Sequence, residues 1–427
     1  MPRERGIGTK CIQNGWQAKN GEPLVLPIVQ STTFKYESSQ QMADLFDLKD
    51  TGYFYTRLQN PTNDAVASKI AALEGGVGAV LTSSGQAATF YAIMNLCEAG
   101  DHIISSSSIY GGTYNLLAHT IKKMGVDCTF VPADVTEDAL AAAFTDRTRL
   151  VFGETLANPA LTVLDLEMFS RVAHQHNVPF IVDNTFPTPI FCRPIEWGAD
   201  IVIHSTTKYM DGHATSVGGV VVDSGNFDWT AHKDKYPSLA TPEETYHGTI
   251  FTETFGQAAY LGRMITVLMR DLGSIPSPHN AFLLNIGLET LHLRMPRHFE
   301  NALAVAKMLE NHPNVTWVKF PQLDSDDQNA LAKKYLPIGS SGVIIFGVRG
   351  GRESATQFMD SLKLASVVTH VADSRTGVLH PASTTHRQMS DKELELAGVK
   401  PDMIRLSVGT EDVDDIIEDI QQALDVL

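Results

Sequence analysis

The stretch ADIVIHSTTKYMDGHATSVGGVV, residues 199–221, begins as an apolar run and breaks into a polar, glycine-bearing turn around one lysine, Lys208. The run reads as a buried strand, and the polar residues after it read as the loop leaving its carboxyl end. An amine placed there loses hydration, which disfavours its charged form and pushes its pKa down. Working outward, similar apolar runs recur as GAVLTSS, DHIISSS, CTFVPAD, TRLVFGE and VPFIVDN, each ending in polar residues. Segments at helical spacing, such as EMFSRVAHQHN, separate most of them. Strand, helix and strand repeated this often predict right-handed crossovers and an α/β fold with a mostly parallel, doubly covered sheet. Ligands of such sheets bind at the carboxyl ends of the strands, so the polar residues there are the first to weigh.

The chain has 427 residues, 43% hydrophobic and 19% charged, enough for a large core and more than one folding unit. Its formal net charge of −16 argues against nucleic acid as a partner, because phosphate contacts need clustered cations. The opening MPRERGIGTKCIQNGW lacks an apolar leader segment, and no apolar span is long enough to cross a bilayer. Cys11, Cys97, Cys128 and Cys192 are scattered without a CxxC pair, as expected of reduced thiols. A soluble cytoplasmic protein without membrane partners is expected. Past about residue 225 the pattern changes. Long helical segments lead to the strand-like runs VTWVKF, SGVIIFGV and MIRLSVG, which suggest a smaller C-terminal α/β domain.

Three strand ends carry the chemistry. IVDN places Asp183 after one apolar run, and HSTTK places Ser205, Thr207 and Lys208 after another. In LTSSGQAAT, Gly85 and Gln86 open a helix whose free N–H groups suit a phosphate. Each has an ordinary alternative: a cap or turn for Asp183, Gly85, Ser205 and Thr207, a snorkelling amine for Lys208. Together with Tyr110 in SSSIYGGTYN they form a parts list for pyridoxal phosphate. An amine binds the aldehyde, a carboxylate keeps the ring nitrogen protonated, and an aromatic stacks on the ring.

Several motifs in order, YTRLQNPT, SSGQAA, YGGTYN, ETLANP, IVDNTF, HSTTKY, GLETL, HPASTTHRQ and RLSVGTED, resemble the Cys/Met-metabolism family of pyridoxal-phosphate enzymes, in its O-acetylhomoserine sulfhydrylase branch. The resemblance covers nearly the whole chain. It implies the fold type I architecture of aspartate aminotransferase-like PLP-dependent transferases, with a large domain at 63–285 and a small domain at 286–427. Residues 1–62 would be an arm contributing to the neighbouring subunit's site. It implies Lys208 as Schiff-base lysine and acid–base shuttle, Asp183 on the ring nitrogen, Tyr110 on the ring face and Asn158 on the phenolic oxygen. Gly85, Gln86, Ser205 and Thr207 would hold the phosphate, joined by Tyr55 and Arg57 from a neighbouring subunit, in a homotetramer built as a dimer of dimers. Arg405 would grip the substrate carboxylate as a bidentate fork. Tyr55 would also face the substrate.

One stretch departs from the family. Where sulfhydrylases more often have Asn-Val-Gly-Asp, this chain has His370-Val371-Ala372-Asp373. His370 is a candidate substrate contact, a titratable group beside the substrate, or a space-filler. His380 and His386 are spaced for neither one helix face nor the usual zinc patterns, so no metal is expected. His204 and His213 are expected to be structural.

Gly112 stands where many γ-lyases of the family carry a cysteine, and the segment from about 225 to 280 resembles the longer insertion of sulfhydrylases. The expected reaction is therefore γ-replacement on O-acetyl-L-homoserine by sulfide, giving L-homocysteine and acetate. The substrate partners would be an acylated homoserine and sulfide or a thiol. Methionine γ-lyase and cystathionine γ-synthase are rivals on the same fold. A non-catalytic nucleotide-binding protein using the Gly85 turn is a rival of another class, although no GxGxxG follows a strand.

Overall fold

The computed structural model describes residues 4–384 and 400–427. Among these, seven strands form one sheet: β1 (Gly78–Thr82), β2 (His102–Ser106), β3 (Asp127–Val131), β4 (Thr148–Glu154), β5 (Phe180–Asp183), β6 (Ile201–His204) and β7 (Gly219–Asp223). Their order is β1-β7-β6-β5-β4-β2-β3, and every strand but β7 runs the same way. The expected mostly parallel sheet is present. Its one reversed strand, β7, comes from the GGVV end of the stretch around Lys208 and slots between β6 and β1.

Alternation along the strands divides the core into two. Val151, Val182 and Val202 join the cluster under the Pro61–Glu74 helix, with Val66, Ile70 and Leu73. Leu150, Phe152, Ile181, Ile201 and Ile203 join the opposite cluster, under the Gly85–Met94 helix, with Ala88, Tyr91 and Ala92. This period of two means that a strand's last residue is assigned to a face by its position alone. Glu154 and Asp183 fall on the Gly85–Met94 face, and His204 on the other.

A second sheet has the order β10-β11-β12-β9-β8, from β8 (Val315–Lys319), β9 (Val343–Val348), β10 (Ser366–Val367), β11 (Gly377–Leu379) and β12 (Met403–Ser407). It packs a third cluster in which Val305 and Leu309 of the Leu291–Glu310 helix meet Ile416 and Ile420 of the Val413–Leu424 helix. The long helical segments past residue 225 include two successive helices, Pro278–Glu289 and Leu291–Glu310, separated at Thr290. No helix among the described residues is long and apolar enough to cross a membrane.

Candidate active site

The carboxyl ends of β4, β5 and β6 lie side by side, with Glu154 in register with Asp183 and Asp183 with Ile203. Just beyond β6 the chain turns, and Lys208 N bonds Ser205 O at 3.3 Å. Lys208 is half-buried and has no ion pair among the described residues. Burial, and then the charge of Arg405, lower its pKa from 10.5 to about 8.

Asp183 is held by Thr185, whose backbone N–H and hydroxyl both donate to Oδ1. Among the described residues no hydrogen bond occupies Oδ2. Burial raises the carboxyl's pKa, against the Thr185 bonds and the charge of His204. The Thr185 hydroxyl oxygen also accepts from Ser205 N at 2.9 Å, tying the β5 and β6 ends together.

Ser84 caps the Gly85–Met94 helix by accepting from Ala87 N at 3.1 Å, which leaves the Gly85 and Gln86 N–H groups at the open end. A side chain at Gly85 would bring its Cβ within 2.6 Å of Ser205 Cβ, so glycine is what lets the helix start approach the Ser205 turn. The Thr207 hydroxyl is paired with Gly218, donating to its carbonyl at 3.2 Å and accepting from its N–H at 3.1 Å.

Tyr110 precedes the Gly111–Asn115 helix, with its ring exposed. A Cβ at Gly112 would stand 2.5 Å from that ring and 2.4 Å from the Gln86 amide, so glycine here lets both lie against the chain. Asn158 follows β4, and its Oδ1 accepts from Arg405 Nη1 at 3.2 Å. Arg405, on β12 of the second sheet, also donates from Nη2 to Thr369 O at 3.1 Å. It is 8% exposed, which excludes a surface role, and burial lowers its pKa to about 10. His370 adjoins this contact. Burial, then Lys208, depress its pKa, and Nε2 is buried with no partner among the described residues.

Tyr55 and Arg57 are tied elsewhere within the chain's own fold. The guanidinium lies 4.9 Å from the Tyr55 ring, and the Arg57 side chain packs on Gly273. Leu272 and Ser274, flanking Gly273, line a cavity of about 470 Å³ also bounded by Gln86 and Gly112.

Two features escaped sequence reasoning. Glu154 is buried beside Asp183 and accepts from the backbone N–H groups of Tyr110 and Asn158. On the opposite face, His204 Nε2 meets Glu74 Oε1 at 2.6 Å, and Asn184 donates to the same oxygen at 3.0 Å. Glu154 is invisible in sequence because ETLANP reads as strand end and turn. The clue was its register with Asp183, which only sheet order supplies. Of the histidines, His213 bonds the carbonyl of Asp211 through Nδ1 at 2.6 Å. His380 is buried between Ser383 and Pro401 O, while His386 lies outside the described residues. No metal-binding cluster occurs among the described residues.

These residues fit pyridoxal phosphate on structural grounds. Among the described residues the amine has no counter-ion and one Asp183 oxygen no hydrogen bond, and the helix start beside Ser205 is kept open by glycine. A profile described as Cys/Met metabolism PLP-dependent enzyme matches residues 8–425. A homocysteine synthase of Schizosaccharomyces pombe is 46% identical over 402 residues, 94% of each chain. An O-acetyl-L-homoserine sulfhydrylase of Leptospira meyeri is 44% identical, over 99% of this chain and 98% of the relative. A crystal structure from Campylobacter jejuni, described as an O-acetylhomoserine (thiol)-lyase and containing N′-pyridoxyl-lysine-5′-monophosphate, superposes with a TM-score of 0.95 at 35% identity. That match covers 99% of this chain and 100% of the other.

Proposed function

Because the chain belongs to the Cys/Met metabolism PLP-dependent enzyme family, we propose that it converts O-acetyl-L-homoserine and sulfide into L-homocysteine and acetate. The observation that carries the reading is Lys208: an amine just past a strand end, without a counter-ion among the described residues, its pKa lowered to about 8, within the field of Arg405. The relatives named homocysteine synthase and O-acetyl-L-homoserine sulfhydrylase support this substrate pair over the lyase, cystathionine-synthase and nucleotide-binding readings.

Pyridoxal phosphate supplies an electron sink that acidifies the carbon bearing the substrate amine and helps the γ-acetoxy group leave. Lys208, Asp183, Asn158 and Tyr110 would hold its ring, with Gly85, Gln86, Ser205 and Thr207 at its phosphate. Asp183, whose Oδ2 takes part in no hydrogen bond among the described residues, would pair with the ring nitrogen and favour its protonated form. Arg405 binds the substrate carboxylate through guanidinium N–H groups now engaged by Asn158 and Thr369. Lys208 moves protons at the substrate carbons, a task suited to an amine that is half neutral near pH 8. His370, whose ring feels the charge of Lys208, would face the substrate.

Leu24 and Val25 are 89% and 59% exposed in the single chain, which supports residues 1–62 as an arm that docks on a second copy. Tyr55 and Arg57 would then complete the neighbour's site, in a dimer or a dimer of dimers. Residues 63–285 and 286–427 would form the large and small domains. The four cysteines are free, which supports a cytoplasmic setting.

The test is a product assay. Purified protein with O-acetyl-L-homoserine and sulfide is expected to release homocysteine and acetate. Turnover of methionine alone, or preference for cysteine as thiol, with no reaction of sulfide, would replace the reading by a lyase or cystathionine synthase.

A further inference from the structure

Glu154, the last residue of β4, is 6% exposed. Its Oε1 accepts from Tyr110 N at 2.6 Å and its Oε2 from Asn158 N at 3.2 Å. The two tethered residues come from different loops, one after β2 and one after β4. One bears the exposed ring and the other holds Arg405. We propose that Glu154 is a positioning residue of the site, a single carboxylate that sets the spacing of Tyr110 and Asn158 and, through Asn158, the aim of Arg405. The proposal rests on Tyr110 and Asn158 serving the cofactor ring and Arg405 the substrate carboxylate.

A carboxylate is a costly choice for this clasp. It is buried with no salt bridge among the described residues, and its strand neighbour Asp183 is a second carboxylate. Burial, and then Asp183, push the Glu154 carboxyl well above the usual carboxylate range, opposed by its two N–H bonds. Two backbone N–H groups alone could be satisfied by a neutral oxygen. What a carboxyl group adds is two acceptor oxygens held in one plane, binding both loops at once.

Glu154→Gln keeps the shape and one acceptor but turns an NH2 group toward the second N–H. Glu154→Ala removes both tethers. Both are compared with wild type as holoenzyme, alongside Lys208→Ala. The Gln variant is expected to fold and bind cofactor, with a weaker visible circular dichroism band per bound cofactor. Its KM for the amino-acid substrate should rise by about ten- to a hundredfold, more than kcat falls, the scale expected for losing a hydrogen bond to a charged group. Wild-type dichroism and KM in the folded, fully loaded Gln variant overturn the proposal, whatever Glu154→Ala does to folding. A yellow chromophore surviving in Lys208→Ala would instead sink the cofactor-site reading itself, separately from Glu154.

Discussion

At the scale of one residue, Lys208 shows how position sets reactivity. A solvated lysine is almost fully protonated at pH 8, whereas one with a pKa of about 8 is half neutral there. In cofactor-free protein, reductive trapping of pyridoxal phosphate on Lys208 should therefore rise through a midpoint near pH 8, read by peptide mass spectrometry after borohydride. A midpoint at the ordinary lysine value would refute the burial argument. The same shift bears on folding. The unfolded lysine binds its proton more tightly, so the unfolded state holds more protons between pH 8 and 10.5. Stability rises with pH across that window, and the cost of the charged amine is present in full below it. His370 belongs to the same scale, since its neutral ring beside Lys208 adds no competing positive charge. The lysine was conspicuous in the sequence because it sits in a polar, glycine-bearing turn just past an apolar run. Glu154 was not, since a glutamate at a strand end is ordinary and its meaning depends on which strand lies beside it.

At the scale of elements, β7 illustrates what periodicity conveys and what it omits. GVVVD, the β7 strand, is not among the strand runs that the sequence reading picks out, and nothing local says that it runs against its neighbours. Because it does, its last residue, Asp223, pairs with Gly78 and Ile201 at the end of the sheet away from Lys208. Burial, resisted by the Gly225 N–H, pushes this carboxyl up to about 7, and Oδ2 has no partner among the described residues. The folded state thus binds the extra proton between pH 3.8 and 7, and stability falls as pH rises through that window. Asp223→Asn should be more stable than wild type at pH 8 by about 1–3 kcal/mol and gain little at pH 4, with kcat unchanged. Urea unfolding at the two pH values checks the sign. Strands β10 and β11 were not anticipated at all, because two or three residues are too few to show an alternation.

At the scale of the whole molecule, the site joins two sheets and, in the proposed dimer, two chains. Arg405 on β12 reaches Asn158 after β4, a link across 247 positions of sequence. If Arg57 serves the neighbouring subunit, Lys208→Ala and Arg57→Ala are each inactive alone yet complement when refolded together. Random pairing of the two in a twofold dimer regenerates about a quarter of the sites intact. Recovery near that level supports a shared site, and no recovery would assign Arg57 to its own chain.

The local sequence determined the alternating strands and helices, the polar strand ends and the placing of Lys208, Asp183 and the Gly85 turn at those ends. Those signals are carried by neighbouring residues, through side-chain periodicity and turn chemistry. Tertiary structure alone decided that Glu154 lies beside Asp183, that Glu74 meets His204 on the far face and that Arg405 bonds Asn158 and the Thr369 carbonyl. The reason is physical: strand order and register are set by burial summed over the whole core, so they bring together side chains whose separation along the chain holds no trace of the contact.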